Sequence, residues 1–441
     1  MSDTEKKVKK LYEDYPYPKY HEEWDARHPI PLRWNPNEAL SAVNHYCFRG
    51  RKRFDDFRVL IAGCGIGDDL IWLAKQLELY ENTKVVGIDL SSRSLEISSK
   101  RADLYNLANV ELHQMSLLDL TTESFGSFDF ILCGGVLHHL EDPSAGLICL
   151  RDVMNETGAM LIMVYGRIGR THIYQMQDLL RLVNRDVENI QQKINNFKII
   201  YNHLPENNLF RKNENIIQDH KASDNGIVDM LLHPQDRAYT IPELFEWIEE
   251  CGLRFIEFGI DERVKYKYTI PNIDYSGIGP VEQYAINELL FGDIYKHIFY
   301  TARSSERVAS PDTPENIPVW VGLDHNQRRQ LFEYLENSPD LNARLSSEKR
   351  ELMVPLREKD VKMNYRRKMD ISLHLDPDTF EVIKNIDNRR TLEQILDKAI
   401  SRRKINLTPE QLLEKSKPVL NMLIDEMIIL LKHPQSDLKL A

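Results

Sequence analysis

The stretch 59-VLIAGCGIGDD-69 limits the folds open to this chain more than any other. An apolar, strand-like run enters three glycines separated by single residues, Gly63, Gly65 and Gly67, and a helix-forming segment follows. Glycines at such a turn let the backbone bend tightly and approach a ligand, while the helix behind presents unpaired N–H groups. Further strand-sized apolar runs occur at 84-KVVGIDL-90, 109-NVELHQM-115, 128-FDFILCG-134 and 159-AMLIMVY-165. Helix-sized segments separate them at 68–80, 91–105 and 143–156, the second with Ser91 or Ser92 as its expected N-cap. Strands apolar on both faces that alternate with helices imply a parallel sheet covered on both sides, a doubly wound α/β domain.

Asp89 ends the second strand, 22 residues beyond Gly67. A carboxylate at that strand end can accept hydrogen bonds from both hydroxyls of a ribose, or can cap the helix that follows. The glycine spacing is neither the G-x-G-x-x-G of dinucleotide folds nor a P-loop, since no GK[ST] follows.

Together these residues resemble motif I of the class I S-adenosylmethionine-dependent methyltransferases. Asp89 stands at that family's ribose-binding acid, and 128-FDFILCGGVLHHLEDP-143 is similar to its motif at the end of the fourth strand. The resemblance covers roughly residues 10–165 closely and 235–303 more loosely. It implies a seven-stranded, Rossmann-like sheet with S-adenosyl-L-methionine as cofactor and no metal. The cofactor residues it implies are Gly63, Gly65, Gly67, Asp68, Asp89, Leu90, Ser116, Leu117, Cys133 and Gly134. Two positions depart from the family pattern. Ile61 stands where an acid usually holds the methionyl amine, a role open to Asp68 or Asp69. Ser116 stands where an aspartate usually meets adenine.

Upstream, 13-EDYPYPKYHEEW-24 alternates tyrosine and proline, which disfavours helix and pins Tyr15 and Tyr17. Alone, such a strip is a leader or a partner ligand. It also resembles a lid in a subset of these methyltransferases, with Tyr12, Tyr15, Tyr17 and Tyr20 as the rings that close over the cofactor. The mechanism implied is in-line displacement, in which the protein aligns the sulfonium with a nitrogen or oxygen nucleophile and excludes water. His138 and His139 are candidate proton acceptors, or else imidazoles packing on the sheet, and Tyr165 is a candidate wall of the transfer site. Substrate-binding candidates are Arg167, Arg170, Tyr174, Arg237 and Tyr239, which flank a polar helical insertion at about 166–239.

Residues 1–50 are read as leader and lid, 51–305 as the catalytic domain, and 306–441 as a mainly helical, winged-helix-like domain after the proline-bearing segment 304–318. In that last part Thr391 and Gln394 fit a capping box, and 347–368 is highly charged. A net charge of −11 argues against nucleic acid as partner, so runs such as 51-RKR-53, 401-SRRK-404 and 365-YRRK-368 are read as solvated faces. Five scattered cysteines without a CxxC pair suit a reducing, cytoplasmic compartment. The opening MSDTEKKVKK has no apolar core, so neither a secretory signal nor a membrane span is expected. The YPYP start, the pair His28–Pro29, a Leu-His stretch before an aromatic-rich helix and the helical C-terminal region are distantly similar to bacterial protein-lysine methyltransferases with a regulatory region. That similarity implies a protein side chain as acceptor. A small molecule or peptide natural product is the alternative partner, and a non-catalytic S-adenosylmethionine-binding regulator is another reading. A homodimer is compatible with all of these.

Overall fold

The apolar runs pair as their pattern demands. In the computed structural model, which describes residues 2–28, 35–338, 342–347, 350–357, 361–365 and 369–440, five strands lie parallel. They are β1 (Arg58–Ala62), β2 (Lys84–Asp89), β3 (Val110–Gln114), β4 (Phe128–Gly134) and β5 (Met154–Gly166). The short β6 (Ala238–Tyr239) extends the end of β5. With β7 (Arg254–Phe258) and β8 (Lys296–Ala302) the order is β3-β2-β1-β4-β5-β8-β7, and β8 is antiparallel to both neighbours. The chain winds outward from β1 to β3 and then returns through β4. The carboxyl ends of β1 and β4 therefore flank the topological switch point, where open sheets hold ligands. Ile61 pairs with Gly87 and Leu132 in mid-sheet and is fully buried, so its position serves the core.

Helices Asp68–Leu77, Ser92–Leu104 and Pro143–Asp152 cover the sheet. Ser91 caps the second, accepting the Ser94 N–H at 3.1 Å. The third helix ends earlier than its pattern suggested, because β5 begins at Met154, which is buried and pairs with Phe128, and only Glu156 and Thr157 of its first residues are exposed. Between β5 and β6 the insertion folds as helices with their own core, built on Ile173, Leu180, Phe197 and Val228.

The C-terminal region contains helices Pro377–Lys384, Leu392–Arg403 and Pro409–Asp425, together with strands that the helical reading left out. Thr391 forms the expected capping box with Gln394. Strand β9 (Ile317–Trp320) is followed by two antiparallel pairs. These are β10 (Asn342–Ser347) with β13 (Met369–His374), and β11 (Arg350–Val354) with β12 (Val361–Tyr365). The alternation in 369-MDISLH-374 has the period of a strand, a signal hidden by the high charge around it. The final strand, β14 (Ile429–Lys432), returns to pair with β9. The tail of the basic run 365–368 and Pro29 of the His-Pro pair lie outside the described residues.

Segment 304–318 is not a break in packing. Val319, Val321, Leu430 and Leu438 share one hydrophobic cluster with Tyr46, Phe54 and Val59 of the sheet domain. Polar ties cross the same boundary. The Leu431 N–H donates to His45 Nδ1 at 3.0 Å, Ser436 Oγ donates to the Lys52 carbonyl at 2.6 Å, and the Lys439 N–H donates to Tyr80 Oη at 2.9 Å. Burial pushes His45 down to about 3, so at neutral pH it offers that acceptor lone pair. No helix among the described residues is long and apolar enough to cross a membrane. Ending the chain at residue 305 is expected to uncover this shared core, so thermal unfolding should show no cooperative transition or one roughly 10 °C or more below the full chain. An unchanged transition in the shortened chain would contradict the shared core.

Candidate active site

β1 runs into Gly63 and Gly67, which take φ +73° and +86°, a region costly for any residue with a Cβ. Space forbids a side chain as well: a Cβ on Gly63 would lie 2.3 Å from the Val136 side chain, and one on Gly67 2.8 Å from Ser98 Oγ. Gly67 then opens the helix Asp68–Leu77. Asp89 holds the loop from the neighbouring strand end. Its Oδ2 accepts the Gly65 N–H at 2.8 Å, and its Oδ1 accepts the Ser91 N–H at 2.8 Å. Burial pushes the Asp89 carboxyl up, and these N–H donors pull the other way. Above this turn lies a cavity of about 310 Å³, inside the range of roughly 300–1,000 Å³ typical of small-molecule sites. Asp89 and Leu90 enter it from the β2 side, and Gly134, Val136 and Tyr165 from the β4–β5 side.

The N-terminal segment closes the cavity. Helix Asp3–Asp14 begins with a capping box between Ser2 and Glu5 and docks through Glu13. The Glu13 carboxylate accepts the Ser92 N–H at 2.7 Å and the Arg93 N–H at 3.1 Å, an acid placed at the positive end of a helix. The tyrosine-proline strip follows, with a cis peptide between Tyr17 and Pro18. Tyr17 O stands 3.5 Å from where a Cβ on Gly65 would be, so the strip lies directly over the glycine turn. Further along, Asp25 takes Arg101 Nε at 2.6 Å and the Tyr105 hydroxyl at 3.0 Å. Arg101 also donates to the Ile66 carbonyl at 2.6 Å and pairs with Asp68 at 2.7 Å. Glu5, Val8, Tyr12, Tyr17 and Pro18 of this segment line the cavity.

Comparison with known proteins agrees with this geometry. The family described as a methyltransferase domain matches residues 54–222. An uncharacterised protein of Synechococcus sp. is 30% identical over 314 residues, 67% of this chain and 71% of that protein. Residues 54–222 thus carry a methyltransferase domain. A ubiquinone biosynthesis O-methyltransferase of Neisseria meningitidis is 27% identical over 140 residues, 32% of this chain and 55% of that protein. PKMT2 from Rickettsia typhi, solved in complex with AdoHcy, shares the fold with a TM-score of 0.59 at 17% identity, covering 95% of this chain and 78% of that one. S-adenosylmethionine is the cofactor of the methyltransferase domain.

At the far end of the cavity the methyltransferase gathers imidazole and phenol rings. His138 is fully buried and stacks on Tyr165 with centroids 3.7 Å apart, while His139 stacks on His233 at 3.7 Å. His139 Nδ1 meets the Gln235 carbonyl at 2.7 Å. A carbonyl only accepts, so Nδ1 carries the proton of the neutral ring and Nε2 carries the lone pair. Burial pushes His138 well below its ordinary value and His139 down to about 4. The Arg170 guanidinium lies over the Tyr165 ring at 3.4 Å from its centroid.

Of the residues expected to hold cofactor, Tyr17, Gly63, Gly65, Asp68, Asp89, Leu90 and Gly134 line the cavity. Gly67 supports the turn from behind. Cys133 faces the buried core because strand alternation turns it away from its neighbour Gly134, and Leu117 joins the same core cluster. Ser116 Oγ donates to Glu5 Oε1 at 2.5 Å and stands behind the lid. Tyr15 packs against the insertion core instead of the cavity. Of the two aspartates after the glycines, Asp68 is engaged by Arg101, whereas Asp69 lines the cavity and bonds the buried Glu38 carboxyl. His139 and Tyr165 border the cavity; His138 sits behind Tyr165.

Among the expected substrate residues, Arg170 and Tyr174 stack near Tyr165, with Arg170 5.7 Å from the Tyr174 centroid. None of the five lines the cavity itself. Arg167 pairs with Glu243 at 2.9 Å, and Arg237 covers the buried Tyr239 at 4.7 Å. Glu5, Val8 and Asp229 line the cavity without having been read from the sequence. Ser2–Glu5 carried a legible capping-box signal, but Asp229 lies 140 residues beyond Asp89 and had none.

The folded pKa of His139, about 4, lies below an unfolded value near 6.5, so its neutral form contributes stability that is present above pH 6.5 and lost as the pH falls toward 4. His139→Gln is expected to flatten the fall in melting temperature across that window. An unchanged slope would contradict a neutral, buried His139.

Proposed function

We propose that the chain transfers the methyl group of S-adenosylmethionine to a nitrogen or oxygen atom on a protein side chain. The observation that carries the reading is one cavity running from the Asp89 carboxylate to the ring wall at Tyr165, roofed by the N-terminal segment. The cradle fits the cofactor residue by residue. Asp89 still has lone pairs for the two ribose hydroxyls after its two backbone bonds. The amine that Ile61 does not hold falls to Asp69 with Glu38. Burial and then the neighbouring Asp69 push the Glu38 carboxyl well above its ordinary range, so a cation beside this pair is strongly favoured. Glu5, beside Ser116, brings a carboxylate to the place where the family pattern has its adenine aspartate.

The cofactor supplies an activated methyl electrophile when bound. The chain's own residues do the rest. The lid excludes water, Tyr12 and Tyr17 offer aromatic faces to positive charge, and Tyr165 with His139 bounds the space from which an acceptor approaches. His139 Nε2 is an unprotonated base at neutral pH.

A protein acceptor is the reading that the resemblance to bacterial protein-lysine methyltransferases supports, and PKMT2 shares the fold over 95% of the chain. A small-molecule acceptor is the second reading, favoured by the similarity to ubiquinone biosynthesis O-methyltransferases over 140 residues. Incubating the protein with lysate and methyl-labelled cofactor distinguishes them: label in protein is expected, label confined to small solutes favours the second, and no label removes both. Asp89→Ala should remove two charge-assisted hydrogen bonds of roughly 1.5–3 kcal/mol each, weakening cofactor binding about tenfold or more. Calorimetry showing equal affinity would contradict the ribose assignment.

A further inference from the structure

We propose that Glu38 and Asp69 share one proton until the cofactor's methionyl ammonium docks on Asp69, and that docking sends this proton to solvent. Glu38 is then a positioning residue that acts through Asp69 and couples cofactor binding to pH. This rests on the cofactor reading above and deepens it.

The fold holds the pair in place from several sides. Glu38 ends the short helix Pro36–Glu38 and is 1% exposed. Its backbone is tied along the helix Asp68–Leu77. Trp72 Nε1 donates to the Asn35 carbonyl at 3.3 Å, and Gln76 Nε2 donates to the Glu38 carbonyl at 3.3 Å. The Leu40 N–H returns a bond to Gln76 Oε1 at 3.0 Å, and the Tyr300 hydroxyl donates to the Asn37 carbonyl. The carboxyl is thereby kept from water, and its Oε2 is buried without a hydrogen-bond partner. Asp69, in the first turn of the same helix, bonds Glu38 and also lines the cavity. There its Oδ2 lies 3.9 Å from the place of a Cβ on Gly134, at the end of β4.

Two carboxylates in contact away from water cannot both stay ionised, so one proton remains between them. Burial first, and Asp69 next, push the Glu38 carboxyl well above its ordinary range, while Asn35 pulls the other way. The positive end of the helix favours the charge on Asp69, so the proton resides on Glu38. The other groups facing the pair leave that proton in place. Asp68 on the same helix pairs with Arg101 at 2.7 Å, and burial keeps the Cys64 thiol and the Tyr300 hydroxyl neutral. An ammonium against Asp69 reverses the balance, because a cation favours the charged form of both acids. The free protein therefore holds a proton that the complex lacks. Affinity rises with pH until the free pair ionises on its own.

Calorimetric titration of S-adenosylmethionine into the full chain at pH 6.5, in two buffers of different ionisation enthalpy, counts the proton. The methionyl amine, with an ordinary pKa of about 8, is already charged there and adds little to the count. Release of about half a proton or more per cofactor is expected, with Kd falling about threefold or more from pH 5.5 to 6.5. Binding with no net release would overturn the proposal and leave the cofactor assignment standing, whereas no binding at all would overturn both. Methylthioadenosine keeps the nucleoside and lacks the amine, so it should bind without releasing a proton. Equal release by the two ligands would overturn the role of the ammonium. Glu38→Gln keeps the shape of the protonated side chain. It should abolish the release and hold Kd within about twofold across the same pH range. Release that persists in this variant would overturn the proposal.

Discussion

The Arg101 guanidinium is the tie on which the site depends. It is 1% exposed and grips three separate pieces of chain: Asp25 beyond the tyrosine-proline strip, Asp68 at the first turn after the glycines, and the Ile66 carbonyl between the glycines. Two carboxylates and a carbonyl around one buried cation satisfy a group that would otherwise be very costly to desolvate. Arginine's planar fork makes this possible, since its donors reach several partners at once. The consequence is that lid and glycine turn are fixed to each other. A cofactor bound on the turn is therefore covered by a segment that precedes it in the chain by some 40 residues.

That arrangement divides labour within the cavity. The sheet side supplies what every nucleoside site needs: a turn without side chains and an acid on the adjacent strand end. The parts outside the sheet supply what differs in this chain. Glu5 and Tyr12 come from the lid, Glu38 from the segment before β1, and Asp229 from the insertion. In the proposed reading, Glu5 and the pair Asp69–Glu38 take over from the acids that Ile61 and Ser116 do not supply. The C-terminal region packs on the core through β14 and the cluster around Tyr46, and none of its described residues lines the cavity.

Much of the sheet was legible because its signals are local. β1, β2 and β4 are short apolar runs with helix-sized text after them, and their burial on both faces leaves no other period, whereas β3 at the sheet edge is only half-buried. The glycine turn and Asp89 were legible for the same reason, being a few residues apart across one crossover. What escaped reading depends on distant packing. Cys133 and Gly134 are adjacent, yet only one can face the ligand, and strand phase decides which. Asp229 sits in polar helical text where an aspartate has no distinguishing neighbour, and only the folded insertion brings it to Tyr12. The strands between 342 and 374 were masked by charge, because their alternation is diluted by lysine, arginine and glutamate.

The central claim is that the segment before the sheet domain is part of the cofactor site. Calorimetric titration of S-adenosylmethionine into the full chain and into a chain beginning at residue 23 tests it most directly, with thermal unfolding used to show that both are folded. Loss of the cavity surface contributed by Glu5, Val8, Tyr12, Tyr17 and Pro18 predicts an affinity lower by about tenfold or more in the shortened chain. Equal affinity in two folded proteins would contradict it.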